Sequence, residues 1–174
     1  VSGFGDNDVN STSNGFMLPV ATVITCGTGS FSGDALTESF IRAGTPSNPK
    51  GSVVCIGTAT LGTHTMFNNI VDMGFYYGAM IEGLETPGSA LMYGKMMLYK
   101  NYPTNPNNWC HIFTHWNNLM GESSLQMWTA YPEVTTVSHP FAITKGTNYI
   151  DLTVDKEGGS VEDAWVTILM DDLI

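Results

Sequence analysis

The stretch Val20–Phe31 (VATVITCGTGSF) constrains the fold of this chain more than any other. A run of β-branched and small apolar residues, Val20 to Thr25, ends at Cys26 and a Gly-x-Gly turn. A short apolar run bounded by turn residues predicts a buried strand of a parallel sheet, Val20–Thr25. Cys26 then falls where the strand gives out into a loop, the place where open α/β sheets put their ligands and chemistry. Gly27 and Gly29 allow a sharp turn and a close backbone approach. A thiol beside free amides is placed to attack a carbonyl, with the Cys26 and Gly27 N–H groups as candidate donors to the oxyanion. Packing is the competing role for such a cysteine, because free Cys is among the most buried residue types.

The next segments extend this into a βαβ unit. Asp34–Ala43 (DALTESFIRA) has helical spacing, with Ser32 or Asp34 as cap, Leu36, Phe40 and Ala43 as the buried stripe, and Gly44 as terminator. Pro46 and Pro49 mark a surface loop, and Ser52–Gly57 (SVVCIG) is the next buried strand. Strand, helix and strand of this length predict parallel neighbours joined by a crossover. Cys55 lies mid-strand and is expected to pack. Thr58–Thr65 (TATLGTHT) leaves the same end of the second strand and should neighbour Cys26.

Three amphipathic helices are predicted downstream. Met66–Gly83 carries Met66, Ile70, Met73, Tyr77 and Met80 or Ile81 at helical spacing, with Thr65 as cap. Gly88–Asn101 follows Pro87 with Ser89 as cap. Asn105–Gly121 has Asn105 as cap, Pro106 at the first position and a stripe of Trp109, Ile112, Phe113, Trp116, Leu119 and Met120. On that helix His111 and His115 stand four apart, a metal-ligand spacing, but without the glutamate of H-E-x-x-H or a third ligand they read as a solvated polar face. Val1–Gly15 is rich in Gly, Asn, Asp and Ser and reads as a surface loop.

After Pro132 the pattern becomes β. Val134–Val137, Tyr149–Val154 and Ala164–Met170 are β-branched runs, and Tyr149–Asp155 alternates cleanly, as in half-buried antiparallel strands. Asp163, Asp171 and Asp172 could hold a structural Ca²⁺. They lack D-x-D-x-D spacing and so read better as a solvated turn.

Composition excludes several classes of partner. With 16 acidic and 6 basic residues the net charge is −10, which argues against nucleic acid and offers no basic face to anionic lipid. Three cysteines, Cys26, Cys55 and Cys110, leave at least one thiol free and do not make a disulfide scaffold. No apolar run approaches the ~18 residues of a membrane span. The chain has neither an initiator Met nor a signal-peptide pattern, and is expected to be a piece of a longer protein.

The order V-I-T-C-x-T-G-x-F (Val23–Phe31), a helix ending F-I-R-A-G (Phe40–Gly44), then G-S-V-V-C-I-G-T-A (Gly51–Ala59) resembles the gingipain-type cysteine peptidases of family C25 from about Phe4 to Tyr131. Gly121–Leu125 (GESSL) resembles that family's G-D-P-S-L turn, with Glu122 and Ser123 replacing Asp and Pro. The resemblance implies a caspase-like, mostly parallel α/β sheet flanked by helices over residues 1–132. It also implies the start of an immunoglobulin-like sandwich over 133–174, cut short because only about three of roughly seven strands are present. Cys26 is implied as nucleophile of a secreted or cell-surface endopeptidase acting on protein or peptide, with no cofactor. Its base would be a His-Gly histidine upstream of Val1, so that the upstream half of the domain becomes a partner. Thr58, Ala59, Thr60 and His64 are implied to shape the specificity pocket, His64 standing roughly at an aromatic lid. Two alternatives remain: a sorting or processing peptidase of bacterial secretion with the same dyad, and a silent adhesion or scaffold module in which Cys26 is merely buried.

Overall fold

The computed structural model describes residues 3–168. The chain divides into two compact units, Val1–Thr129 and Ala130–Ile174.

In the first unit, the segment expected to be loop contains helix α1 (Asp6–Asn10). The Asp8 carboxylate accepts the Gly5 N–H at 2.8 Å, and Val9 is fully buried. Strand β1 (Val20–Val23) ends two residues earlier than predicted and is half-buried rather than buried. Helix α2 (Leu36–Arg42) starts after Ala35, which supplies no side-chain cap, so neither Ser32 nor Asp34 has that role. Its fully buried residue is Thr37, while the expected stripe of Leu36, Phe40 and Ala43 is half-buried. The Pro46–Pro49 loop is a small hairpin of β2 (Gly44–Thr45) and β3 (Asn48–Pro49).

Strand β4 (Val54–Thr58) is buried at every position and lies parallel to β1, Val20 opposite Val54 and Val23 opposite Gly57. Successive β4 side chains face opposite layers. Val54 and Ile56 enter the main core, whereas Gly57 abuts Thr37 of α2.

That core is closed by helices α3 (Thr65–Met80), α4 (Pro87–Asn101) and α5 (Trp109–Trp116). Phe67, Val71, Phe75, Leu91, Leu98 and Phe113 form its centre, and full burial of each stabilises by about 1.5–3 kcal/mol. Most of the expected α3 stripe is on the outside, Met73 71% and Met80 59% exposed, while Ile70 packs against the core. The inward face instead carries Phe67, Val71, Gly74, Phe75 and Gly78. The glycines decide this. A Cβ on Gly74 would lie 2.7 Å from Cα of Gly94, so α3 and α4 touch backbone to backbone. Helix α4 is capped by Thr86, whose Oγ1 accepts the Ser89 N–H, with Pro87 in the first turn.

The predicted helix Asn105–Gly121 is three elements. Pro106–Asn108 forms a 3₁₀ turn, α5 follows, and Asn117–Gly121 is strand β5. The Asn117 Nδ2 donates to the Phe113 carbonyl at 2.9 Å and closes the helix. The chain then pairs antiparallel with β4, Thr58 opposite Asn117. The sheet, ordered β1-β4-β5, is therefore mixed, with α1 and α2 on one face and α3, α4 and α5 on the other. Beyond Gly121, Glu122 accepts the Ser124 N–H and hydroxyl, which makes the turn expected there. From that turn to residue 134 the chain carries no strand.

The second unit holds an antiparallel sheet of β6 (Thr135–Ser138), β7 (Thr153–Lys156) and β8 (Gly159–Ser160). Ile150, Leu152 and Val154 are half-buried at alternate positions, as the pattern predicts, but of the expected strand Tyr149–Val154 only Thr153 and Val154 are in β7. The described part of Ala164–Met170 is not strand. Asp171 and Asp172 lie outside the described residues.

Candidate functional site

Cys26 stands three residues past β1 in a tight turn, and its side chain is exposed. The silent-module alternative, which required a buried Cys26, does not agree with that exposure. Gly27 takes φ +75°, a left-handed conformation suited to glycine.

Three elements hold the turn. Thr28 is its hub: the single Oγ1 proton is shared between the carbonyls of Val23 and Thr25, Oγ1 accepts the Thr58 N–H, and the Thr28 carbonyl accepts both the N–H and hydroxyl of Thr37. Gly29 N–H donates to the Thr58 carbonyl at 3.0 Å, and Asn118 Nδ2 donates to the Gly29 carbonyl at 2.9 Å. Strand β4, helix α2 and strand β5 thus each fix one side of the thiol-bearing turn. Thr37 and Asn118 had no signal in the sequence, because hydroxyls and amides of this kind are common, and Thr28 stood there only as a matched residue of the V-I-T-C-x-T-G-x-F order.

The loop 59–64 runs alongside, as topology predicted. Ala59 N–H donates to the Trp116 carbonyl at 2.8 Å, and Gly27 N–H donates to the Thr60 carbonyl at 2.9 Å. That second bond occupies the Gly27 amide and corrects its expected role as an oxyanion donor. Among the described residues the Cys26 N–H has no backbone acceptor and stays available. Thr58 is also corrected: it is fully buried and cannot contact a substrate with its side chain. Ala59 and Thr60 are half-exposed and His64 is exposed, beside Leu61, whose side chain lies over Gly27. Phe31 and Leu61, 74% and 81% exposed, add apolar surface near the turn.

Thr63 is the side chain that meets the thiol. Its Oγ1 lies 2.9 Å from the Cys26 Sγ. The Thr63 hydroxyl, and then its backbone amide, hold the Cys26 thiol below the ordinary thiol range. Burial instead pushes Cys55 up to about 12 and raises Cys110 as well.

No imidazole joins Cys26 among the described residues. His64 is the N-cap of α3: its Nδ1 accepts the Met66 N–H at 3.2 Å, and its ring meets Phe67 edge-on. His111 and His115 are exposed on α5 with ring centroids 4.5 Å apart, and His115 Nδ1 contacts the His111 carbonyl. His139 belongs to the second unit. Among the described residues no three His, Cys, Asp or Glu side chains gather as a metal site, and no helix is long and apolar enough to cross a membrane.

A mixed sheet flanked by helices, with an exposed thiol of lowered pKa on a strand-end turn, defines an α/β domain with a reactive-type cysteine at one rim of its sheet. The model of the family described as Peptidase family C25 matches residues 2–128, and the chain belongs to that family. Its fold is similar to the crystal structure of the Arg-specific cysteine proteinase gingipain R, at 20% identity and a TM-score of 0.70, covering 87% of this chain and 35% of that one. It is also similar to the complex of pro- and mature domains of RgpB from Porphyromonas gingivalis, at 19% identity and a TM-score of 0.66, covering 88% of this chain and 37% of that one. The chain thus spans about a third of the length of these structures. No curated protein matches it.

Proposed function

We propose that this chain is the nucleophile-bearing part of a secreted or cell-surface cysteine endopeptidase acting on protein or peptide chains. The observation that carries the reading is the exposed Cys26 sulfur on a turn fixed by three elements, with its acidity raised by hydrogen bonding. Membership of family C25 supports it.

The general base is an imidazole from the segment that precedes Val1. Strand β1 pairs with β4 on one side only, among the described residues. A strand added on its other side would carry its own end loop to the same rim as Cys26. In this reading the thiolate attacks the scissile carbonyl, and the Cys26 N–H donates to the developing oxyanion. A C–S bond forms, the C–N bond breaks, and the imidazolium gives its proton to the leaving amine. Water then hydrolyses the thioester, the imidazole taking the proton of the water. Half-exposed Ala59 and Thr60, with exposed Leu61 and His64, border the position of the substrate chain. The chemistry calls for no metal or cofactor. The second unit is the start of an immunoglobulin-like module, and its apolar face at Ile150, Leu152 and Val154 suits burial by a further sheet. A pro-segment is a fitting partner, since one gingipain structure is a complex of pro- and mature domains.

The test uses the parent protein and this chain side by side on a library of fluorogenic peptides. The parent is expected to cleave, Cys26→Ala to abolish cleavage, and residues 1–174 alone to have negligible activity. Cleavage by the parent that survives Cys26→Ala would overturn the reading.

A further inference from the structure

We propose that Thr63 is a positioning residue for the Cys26 nucleophile, its side-chain hydroxyl donating a hydrogen bond that holds the ionised sulfur in place. The inference rests on the reading of Cys26 as nucleophile for its meaning in turnover, but not for its chemistry.

The geometry is specific. Thr63 Oγ1 lies 2.9 Å from Cys26 Sγ, across two loops that leave neighbouring parallel strands. A neutral thiol is a weak partner for a hydroxyl, whereas a thiolate is an anion that accepts strongly. The donor is held from both sides. Upstream, the loop is tied by Ala59 N–H to Trp116 and by the Gly27 N–H to Thr60, and downstream by the His64 cap on α3. Threonine, being β-branched, has few rotamers to lose when it is aimed this way.

The electrostatic setting leaves the task to Thr63. Its hydroxyl and then its amide are the largest influences on the acidity of Cys26, with the Cys26 amide adding a smaller one. No charged side chain contributes. The titratable groups on the surrounding elements are His64 in the same loop, whose Nδ1 faces Met66, Asp34 ahead of α2, Glu38 and Arg42 on α2, which pair with each other, and Asp72 and Tyr76 on α3, which face Thr22. A sulfur prepared by a fixed uncharged donor stays ionised at lower pH whether or not an imidazole has arrived. The imidazole then meets a thiol already biased toward the ionised form, and its proton transfers to the leaving amine and from the water are unchanged.

The experiment is the pH dependence of iodoacetamide alkylation at Cys26, followed by peptide mass spectrometry on the full 174-residue chain. Thr63→Val should shift the midpoint upward and slow alkylation at neutral pH by about fivefold, and Thr63→Ser should restore both. A second measurement needs no Thr63 variant: the amide resonance of Thr63 should titrate with the thiol midpoint and lose that titration in Cys26→Ala. An unchanged midpoint in Thr63→Val, a Thr63→Ser variant that behaves like Thr63→Val, or a Thr63 amide that ignores the thiol would each overturn the proposal. These readouts are independent of peptidase turnover. An inactive parent with an intact Thr63 effect would remove the peptidase reading alone, and an active parent without the effect would remove Thr63 alone.

Discussion

A methyl group placed on Gly57 would stand 2.9 Å from the backbone nitrogen of Gly29, so the buried strand and the thiol-bearing turn meet with no room for a side chain. Gly29→Ala is expected to force the turn off β4 and break the Gly29–Thr58 bond, at a cost of about 1–3 kcal/mol. Urea denaturation measures it. A variant as stable as the parent sequence would mean that the turn does not depend on this contact.

The three thiols differ in environment, and iodoacetamide should report it. Cys26 is exposed while Cys55 and Cys110 are buried, so Cys26 should be modified first in the native state. Mass spectrometry that finds Cys55 modified ahead of Cys26 would contradict the structure of the site.

Cys55 also predicts an alkaline weakness. Its folded pKa is raised from 9.0 to about 12 by burial. Above pH 9 the unfolded chain gives up this proton and the folded chain keeps it, so the stability contributed by the neutral thiol is complete below 9 and falls as pH rises toward 12. Cys55→Ala should flatten that part of the stability–pH curve, and an equally steep fall in the variant would show that Cys55 is not its source.

His64→Ala removes the N-cap of α3 and should lower stability by about 1 kcal/mol. It should slow Cys26 alkylation less than Thr63→Val does, because the ring faces Met66 rather than the sulfur and reaches Cys26 only through the loop that carries Thr63. If His64→Ala stopped cleavage by a fully folded parent, the general base would have to be moved to this residue.

The contact between α3 and α4 sets a further expectation. A Cβ on Gly94 would meet the Val71 carbonyl and lie 3.0 Å from the Phe75 nitrogen, backbone atoms that cannot step aside. Gly94→Ala should destabilise by about 1–3 kcal/mol in spite of the better helix propensity of alanine. Thermal unfolding monitored by circular dichroism reads the result directly, and a rise in Tm would refute backbone contact at this crossing.

The parallel pair and its connecting helix were legible in the sequence because Val20–Thr25 and Ser52–Gly57 are continuous β-branched runs bounded by glycine. So was the exposed position of Cys26, which follows from topology. Strand β5 was hidden because Leu119 and Met120 continue the apolar spacing of α5, and only pairing with β4 reveals the break at Asn117. The inner face of α3 was misread because both faces of the helix carry large apolar side chains, and the glycines that bring α4 against the Phe67, Val71 and Phe75 face add no apolar signal. The engaged amide of Gly27 and the burial of Thr58 depend on partners that are distant in the chain. Thr63 lay inside the stretch that sequence had marked for the site, but a lone threonine has no spacing signal, and the neighbouring His64 ring is occupied in starting a helix.

Strand β1, paired on one side only among the described residues, gives the chain a distinctive solution behaviour. Half-buried, β-branched backbone with open donors and acceptors is a template for any other extended segment. Residues 1–174 by themselves should therefore self-associate as their concentration rises and stay monomeric when dilute. Any extended segment that adds to this strand competes with that loss, and so acts as a solubility factor as well as a structural one.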